Sequence, residues 1–376
     1  MNEKLTLKQR GYQPLAIWQI AVSAAVFVAL MVLTAIGEID LDINKALAND
    51  NSAYGWFFAK FGEAATYILI PIGATFVFRG IPKVKKYLIF RIVFLAAVIA
   101  GNFVFLNWLY GRVVFIKLLD GVKDTLDMST LPYIFQKTVE LYSMLKLPAL
   151  VVATAGFTAV DLLLTRNLSE ETSKKLMVFG IYMLATILIA VGLVSAILKP
   201  IWARERFRVM QEINDFSGFR RWWQPAAFIN TEYRTEEYMA YRNTVDQQLG
   251  FNGDAFKSFP SGHTVAASMC FVVMLLPDLF KKLKKYRQLF YIVPAIVTAA
   301  VAISRVVNRA HFLSDVTVGG FTGFLAACLL RRLVWTLFDL ETYEFRFFKK
   351  APIQINAETV ANAEEEQSDA SEIAAE

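Results

Sequence analysis

The sequence predicts an all-α, polytopic transmembrane helix bundle, and three observations carry that prediction. Hydrophobic residues make up 56% of the 376-residue chain and charged ones 19%, where soluble domains sit near half apolar and about a quarter charged. The excess is gathered in long uncharged blocks, which is how an integral membrane protein reads. The Lys and Arg residues fall in short clusters between those blocks, as loops at a membrane surface do.

Taken in order, the first block runs from Gly11 to Gly37 without a charge. It is too long for a signal-peptide h-region and has no small-residue cleavage pattern, so it reads as a span that stays in the protein. Residues 38–60 mix polar and aromatic side chains and read as an interfacial helix or re-entrant element. Further spans are expected at about 64–79, 88–109, 147–165, 176–198, 263–280, 288–305 and 312–330. Each is near the ~20 residues that cross a hydrocarbon core, which brings the total to about eight spans. Residues 351–376 hold seven acids and no base; without aromatics they read as a disordered acidic cytoplasmic tail behind a transmembrane domain over 1–350. No internal repeat stands out.

With the tail set aside, the net charge of +6 becomes +13 over the first 350 residues. In a membrane protein such a surplus faces anionic lipid, and no motif for nucleic acid accompanies it. Basic clusters at Lys4, Lys8 and Arg10, at 79–91, at "KKLKKYR" (281–287) and after Arg331 all lie on one side if there are eight spans. That side, with both termini, is the cytoplasm of a multi-pass cell-membrane protein. Lys199, Arg204, Arg206 and Arg208 break the rule, and cations on the wrong side call for another explanation. Cys270 and Cys328, both in apolar segments, form neither a disulfide framework nor a zinc pattern. No metal and no cofactor is expected.

Three stretches meet at the extracytoplasmic face: "KPIWARERFR" (199–208), "PSGH" (260–263) and "SRVVNRAHFLSD" (304–315). They contain both histidines of the chain. Ser261 and Gly262 at a helix start can offer N–H groups and a hydroxyl to an anion, and glycine lets the ligand approach the backbone. Lys199, Arg206 and Arg305 supply positive charge suited to a phosphoryl group. His311 and Asp315, spaced i and i+4, share a face if helical. The carboxylate can then fix the imidazole tautomer and leave the other nitrogen to attack. That leaves His263 to protonate a leaving oxygen.

Each piece alone has a plainer reading. A PSG turn is usually a cap, a lone His a hydrogen-bonded structural residue, and an edge Arg a headgroup anchor. Asp161, inside the fourth span, reads as a helix-packing polar residue, and "FSGFRRWWQPAAF" (216–228) as an interfacial belt. Convergence of the three stretches on one face, using every histidine, outweighs the separate plain readings.

These stretches resemble the signature of the type 2 phosphatidic acid phosphatase superfamily, which includes glucose-6-phosphatases and vanadium haloperoxidases. Its first motif is Lys, six residues, Arg-Pro; Lys199 and Arg206 fit, and Phe207 replaces the Pro. Pro-Ser-Gly-His is complete at 260–263, and Ser304, Arg305, His311 and Asp315 match the third motif. The resemblance implies a metal-independent phosphatase working through a phosphohistidine: His311 as nucleophile, Asp315 supporting it, His263 as acid. Lys199, Arg206, Ser261, Gly262 and Arg305 would cradle the phosphate. Members commonly have three spans before the first motif; here five are expected. The expected substrate is a lipid phosphate or pyrophosphate at the outer leaflet, such as undecaprenyl pyrophosphate, phosphatidic acid or phosphatidylglycerol phosphate. The alternative is a water-soluble phosphate such as glucose-6-phosphate. A haloperoxidase ranks third, because the superfamily's haloperoxidases are soluble. A transporter would show inverted repeats and broken midplane helices, and a silent scaffold would have lost a His or the Asp.

Overall fold

Each long uncharged block folds as helix in the computed structural model of the protein, which describes residues 12, 14–112, 133–226, 236–248, 250, 253–339 and 344–345. The expected tail, 351–376, lies outside the described residues. The helices are α1 Ile17–Leu33, α2 Ile39–Leu47, α3 Ala53–Phe61, α4 Ala64–Gly80, α5 Leu88–Tyr110, α6 Tyr133–Leu164 and α7 Glu170–Gly192. After them come α8 Lys199–Trp202, α9 Phe207–Glu212, α10 Glu236–Gln248, α11 Gly262–Ser268, α12 Leu276–Leu279, α13 Leu289–Val307 and α14 Leu313–Leu337. The chain divides into two compact units, Met1–Thr336 and Leu337–Glu376. The first holds the bundle. In the second, the described residues form a two-residue antiparallel ladder, Phe338 opposite Phe345 and Asp339 opposite Glu344. The fold is otherwise all-α among the described residues.

Seven helical rods are long and apolar enough to cross a membrane: Ala53–Gly80, Lys85–Tyr110, Met144–Leu164, Glu170–Trp202, Gly262–Leu279, Leu289–Val307 and Leu313–Leu337. They are the bundle of a multi-pass membrane protein. The first expected span is shorter than its uncharged block: α1 has 17 residues, a rise of about 25 Å against the ~30 Å hydrocarbon core. Ile89, Val152 and Leu188 stand exposed on the bundle surface, as side chains that meet lipid tails do.

Small residues decide which rods touch closely. A Cβ on Gly180 would lie 2.5 Å from the Gly73 carbonyl, so α4 and α7 approach backbone to backbone. Along α14, a Cβ at Gly319 would lie 2.6 Å from the Ser261 carbonyl and one at Gly323 would lie 1.8 Å from Ser268 Oγ. This small-residue stripe seats the start of the Gly262–Leu279 rod directly on α14, as membrane helices pack where side chains are absent. At the far end of that rod the buried Asp278 accepts from Arg331 Nε (2.7 Å), Arg331 Nη2 (2.9 Å), Arg287 Nη2 and Trp335 Nε1 (3.1 Å). Asp161, expected to be a packing residue without an identifiable partner, has one: Asn102 Nδ2 donates to its carboxylate at 2.8 Å.

Two departures from the expected boundaries position the site. The fifth span does not end as a plain α-helix: a π-helical segment, Leu193–Leu198, follows α7 and leads directly into α8 and Lys199. Such wide turns often mark functional positions, because they rotate everything that follows. The expected interfacial or re-entrant element resolves into α2 and α3. Ser52 caps α3 by accepting from Gly55 N at 3.0 Å, and α3 continues into α4 as one 28-residue apolar rod. α2 turns Asp40, Leu41 and Asn44 inward, which is the wrong polarity for a helix that only lies on a membrane surface.

Candidate active site

His311 sits in the turn between α13 and α14, not on the helix itself. Its backbone is held by Arg305 O, which accepts from His311 N at 3.3 Å, and by Asn44 Nδ2, which donates to His311 O at 3.0 Å. The ring is buried, with Nδ1 2.7 Å from Ser258 O and Nε2 3.2 Å from Arg206 Nη1. A guanidinium has no acceptor to offer, so Arg206 donates and Nε2 must receive. The proton therefore sits on Nδ1 and is given to the Ser258 carbonyl, leaving the Nε2 lone pair toward the cations. Burial, reinforced by the positive charges of Arg206, Arg305 and Lys199, holds the imidazole well below its usual value of 6.5, against the opposing Ser258 hydrogen bond. The ring is neutral at physiological pH.

That shift sets an expected pH dependence. In a log kcat/KM profile the acid limb caused by His311 falls below pH 6.5, because the free protein keeps its lone pair there. An acid limb at the ordinary histidine value would contradict this environment. The sign for stability is the same: below about 6.5 the unfolded chain takes up a proton that the folded one refuses, so stability is lost as the pH is lowered.

Asp315 lies in the first turn of α14 with Oδ2 3.7 Å from His311 Nδ1. The pair does not share a helical face, as i, i+4 spacing suggested, because His311 precedes the helix. Asp315 instead reaches back to accept from Phe312 N at 2.9 Å, the return half of a capping box. It also accepts from Ser258 Oγ (2.5 Å) and Arg204 Nη1 (2.6 Å). Ser258 thus ties His311 and Asp315 together, its carbonyl on one and its hydroxyl on the other. Arg204, 1% exposed, bridges onward through Nη2 to Asp40 at 2.9 Å and lies 4.1 Å over the Phe312 ring. Asp40 closes the ring of contacts by accepting from Ser314 N at 3.1 Å and Ser314 Oγ at 2.5 Å.

The cations form the other half. Arg206 is fixed by Asp254, which accepts at its carbonyl from Nε and at Oδ1 from Nη2, each at 2.8 Å, and by Ala310 O at 2.9 Å. Arg305 is buried, and its Nε and Nη1 have no hydrogen-bond partner among the described residues. Lys199 Nζ stands 3.4 Å from where a Cβ on Gly262 would be, so the glycine keeps open the space between the lysine and the helix start. Ser261 caps α11 with its hydroxyl accepting from Thr264 N at 3.3 Å. Its own N–H is already given to Asp315 O at 3.0 Å, so it does not serve as an anion donor as expected; its hydroxyl proton does remain to give. His263 lies with Nδ1 3.3 Å from Glu63 Oε1 and Nε2 3.3 Å from Ala59 O.

All eight residues singled out in the sequence therefore gather at one end of the bundle. Four others that no motif announced join them: Asp40, Glu63, Asp254 and Ser258. Phe207, where the resemblance called for Pro, is the first residue of α9 and packs, buried, on Phe216 and Phe312. Phe216 and Phe219 consequently belong to the packing under the site rather than to an interfacial belt. Trp223, farther along that stretch, is exposed, and Phe228 lies outside the described residues. Among the described residues no group of three or more His, Cys, Asp or Glu side chains is placed to hold a metal ion.

A family model described as the PAP2 superfamily matches residues 179–339. No curated protein and no solved structure matches the chain. The matched segment begins within α7 and contains every one of the eight residues, while α1 to α6 lie before it.

Proposed function

From the premise that residues 179–339 are a PAP2-superfamily domain within a membrane helix bundle, we propose that the protein is a phosphatase of lipid phosphates or pyrophosphates acting through a phosphohistidine. The observation that carries this reading is the neutral His311 lone pair beside Arg206, together with the buried Arg305, whose Nε and Nη1 have no hydrogen-bond partner among the described residues. A buried guanidinium with two unpartnered nitrogens is costly unless a charged ligand completes it. The oxygens of a phosphoryl group fit that need. His311 Nε2 attacks phosphorus while Arg206 exchanges its contact with Nε2 for a phosphoryl oxygen. The P–O electron pair departs with the leaving oxygen, which takes a proton from His263. Water, deprotonated by His263, then cleaves the N–P bond and releases phosphate. Lys199, Arg206 and Arg305 neutralise the charge that a metal would otherwise meet. The family match and the want of a metal cluster among the described residues support a metal-independent hydrolase.

A lipid rather than a soluble substrate is favoured by an apolar cavity of about 490 Å³ lined by Ala65, Leu69, Cys270, Val273, Phe290 and Val297. Ala65 is two residues from Glu63 and Cys270 seven from His263, so a chain leaving the site can follow these helices. The basic segment Lys281–Tyr286 follows the rod that opens at His263, which supports a cytoplasmic placement of that loop and an extracytoplasmic site.

The test is a substrate panel on protein in nanodiscs. Four further buried methylenes contribute about 3 kcal/mol, so long-chain phosphates should exceed short-chain ones and glucose-6-phosphate by about 10²-fold in kcat/KM. Activity should persist in EDTA and fall with vanadate, a mimic of the pentacoordinate phosphoryl group. Preference for the sugar phosphate would reassign the substrate, and loss in EDTA restored by a divalent ion would overturn the side-chain charge clamp.

A further inference from the structure

A histidine that delivers a proton must have its ring held in place. The two nitrogens of His263 face two acceptors, Glu63 Oε1 and the Ala59 carbonyl, each at 3.3 Å. A neutral imidazole can donate to one of them; an imidazolium donates to both. The other charged or titratable groups near the ring are Arg305 from α13, Arg206 at the start of α9 and His311 from the turn before α14. Among the described residues, Glu63 is the carboxylate in ion-pair contact with it. Glu63 is the N-cap residue of α4, yet its side chain makes no capping hydrogen bond. It spans instead from His263 to Arg112, whose Nη2 donates to Oε2 at 3.2 Å. Arg112 follows α5 and lies 5.8 Å from the Trp108 ring centroid. Both ends of this relay, Glu63 and Arg112, come from outside residues 179–339.

We propose that Glu63 is the positioning residue of the general acid: its carboxylate holds His263 Nδ1–H so that Nε2 presents a proton to the leaving oxygen, with Arg112 moderating the carboxylate's charge. The proposal rests on the phosphohistidine reading. In the forward step the Nε2–H leaves the weak 3.3 Å contact with Ala59 O for the leaving-group oxygen. The P–O electron pair becomes the new O–H bond pair, the N–H pair stays on Nε2, and Nδ1–H remains with Glu63. In the return step Nε2 takes a proton from the attacking water. The helices before the matched domain thereby complete a site whose motif residues all lie within it.

The experiment compares Glu63→Gln, Glu63→Asp and Arg112→Gln in the full-length protein in nanodiscs, with two substrates. One is a long-chain alkyl phosphate, whose leaving alkoxide requires a proton; the other is a nitrophenyl phosphate, whose leaving group departs without one. General acid–base catalysis contributes about 10²–10⁴-fold. Glu63→Gln keeps an acceptor oxygen and removes the charge, so kcat/KM should fall about 10–100-fold on the alkyl ester and less than about threefold on the aryl ester. The alkaline limb of the alkyl profile should move to lower pH. Arg112→Gln should move it the opposite way, to higher pH, and this variant carries the test alone if Glu63→Gln fails to fold. Glu63→Asp should recover part of the alkyl activity. Equal losses on both substrates, or an alkaline limb unmoved in either variant, would overturn the proposal. A wild-type protein that cleaves neither ester, or that forms no phosphoenzyme, would instead count against the phosphatase reading.

Discussion

His311→Ala is expected to lower kcat/KM by at least about 10⁴-fold while leaving a folded protein, because the side chain's contacts serve chemistry more than architecture. The backbone contacts at this position, Asn44 Nδ2 to His311 O and His311 N to Arg305 O, do not depend on the ring. What the substitution removes is the Nε2 lone pair that the proposed mechanism uses as nucleophile. Brief exposure of the native protein to labelled substrate should trap a phosphoryl group that is acid-labile and base-stable, and the variant should trap none. A variant with native turnover would end the phosphohistidine mechanism. Because Ser258 O, rather than Asp315, takes the Nδ1 proton, Asp315→Asn should spare the tautomer. Its cost should appear through the disturbed hydrogen bonds to Ser258, Arg204 and Phe312.

Arg204→Met should produce the largest loss of stability. The residue is buried between two carboxylates that are themselves at most 1% exposed, Asp40 and Asp315. Removing the cation leaves two buried carboxylates without the counter-charge they share, and breaking a buried pair from one side costs about 3–5 kcal/mol. In detergent the thermal unfolding midpoint should fall on the order of 5–10 °C. Asp40→Leu added to Arg204→Met should restore part of the loss, since one buried carboxylate is removed and Asp315 keeps its donors from Ser258 and Phe312. An unchanged midpoint in Arg204→Met would show that the bridge does not hold the site together.

The legible part of the molecule was the part written in short range. Long uncharged blocks announced the helices, and Lys199 to Asp315 announced the site, because the chemistry needs those residue types at fixed local spacings. Asp40, Glu63 and Ser258 were illegible for the opposite reason. Asp40 meets its cation 164 residues later and Glu63 meets His263 across a gap of 200, and nothing in the surrounding sequence distinguishes them from surface acids. α2 was ambiguous because its inward face is polar: a helix that buries Asp40 and Asn44 against other polar groups has no apolar stripe to read. Asp315 stands near His311 through a helix cap that i, i+4 spacing does not predict. The π-helical segment before Lys199 had no sequence signal at all.

The bridge from Asp40 to Arg204 also fixes an order of events on the ribosome. Asp40 leaves the exit tunnel 164 residues ahead of the cation that neutralises it. At about 5–20 residues per second, that interval lasts roughly 8–33 s. Throughout it the nascent chain must keep α2 in contact with water, since a bare carboxylate cannot be withdrawn into lipid on its own. The segment after α1 therefore waits at the membrane surface while four apolar rods, Ala53–Gly80, Lys85–Tyr110, Met144–Leu164 and Glu170–Trp202, are made after it. It docks only when the Arg204 loop and then the start of α14 arrive, so the contacts around Asp40 form after most of the bundle has been made.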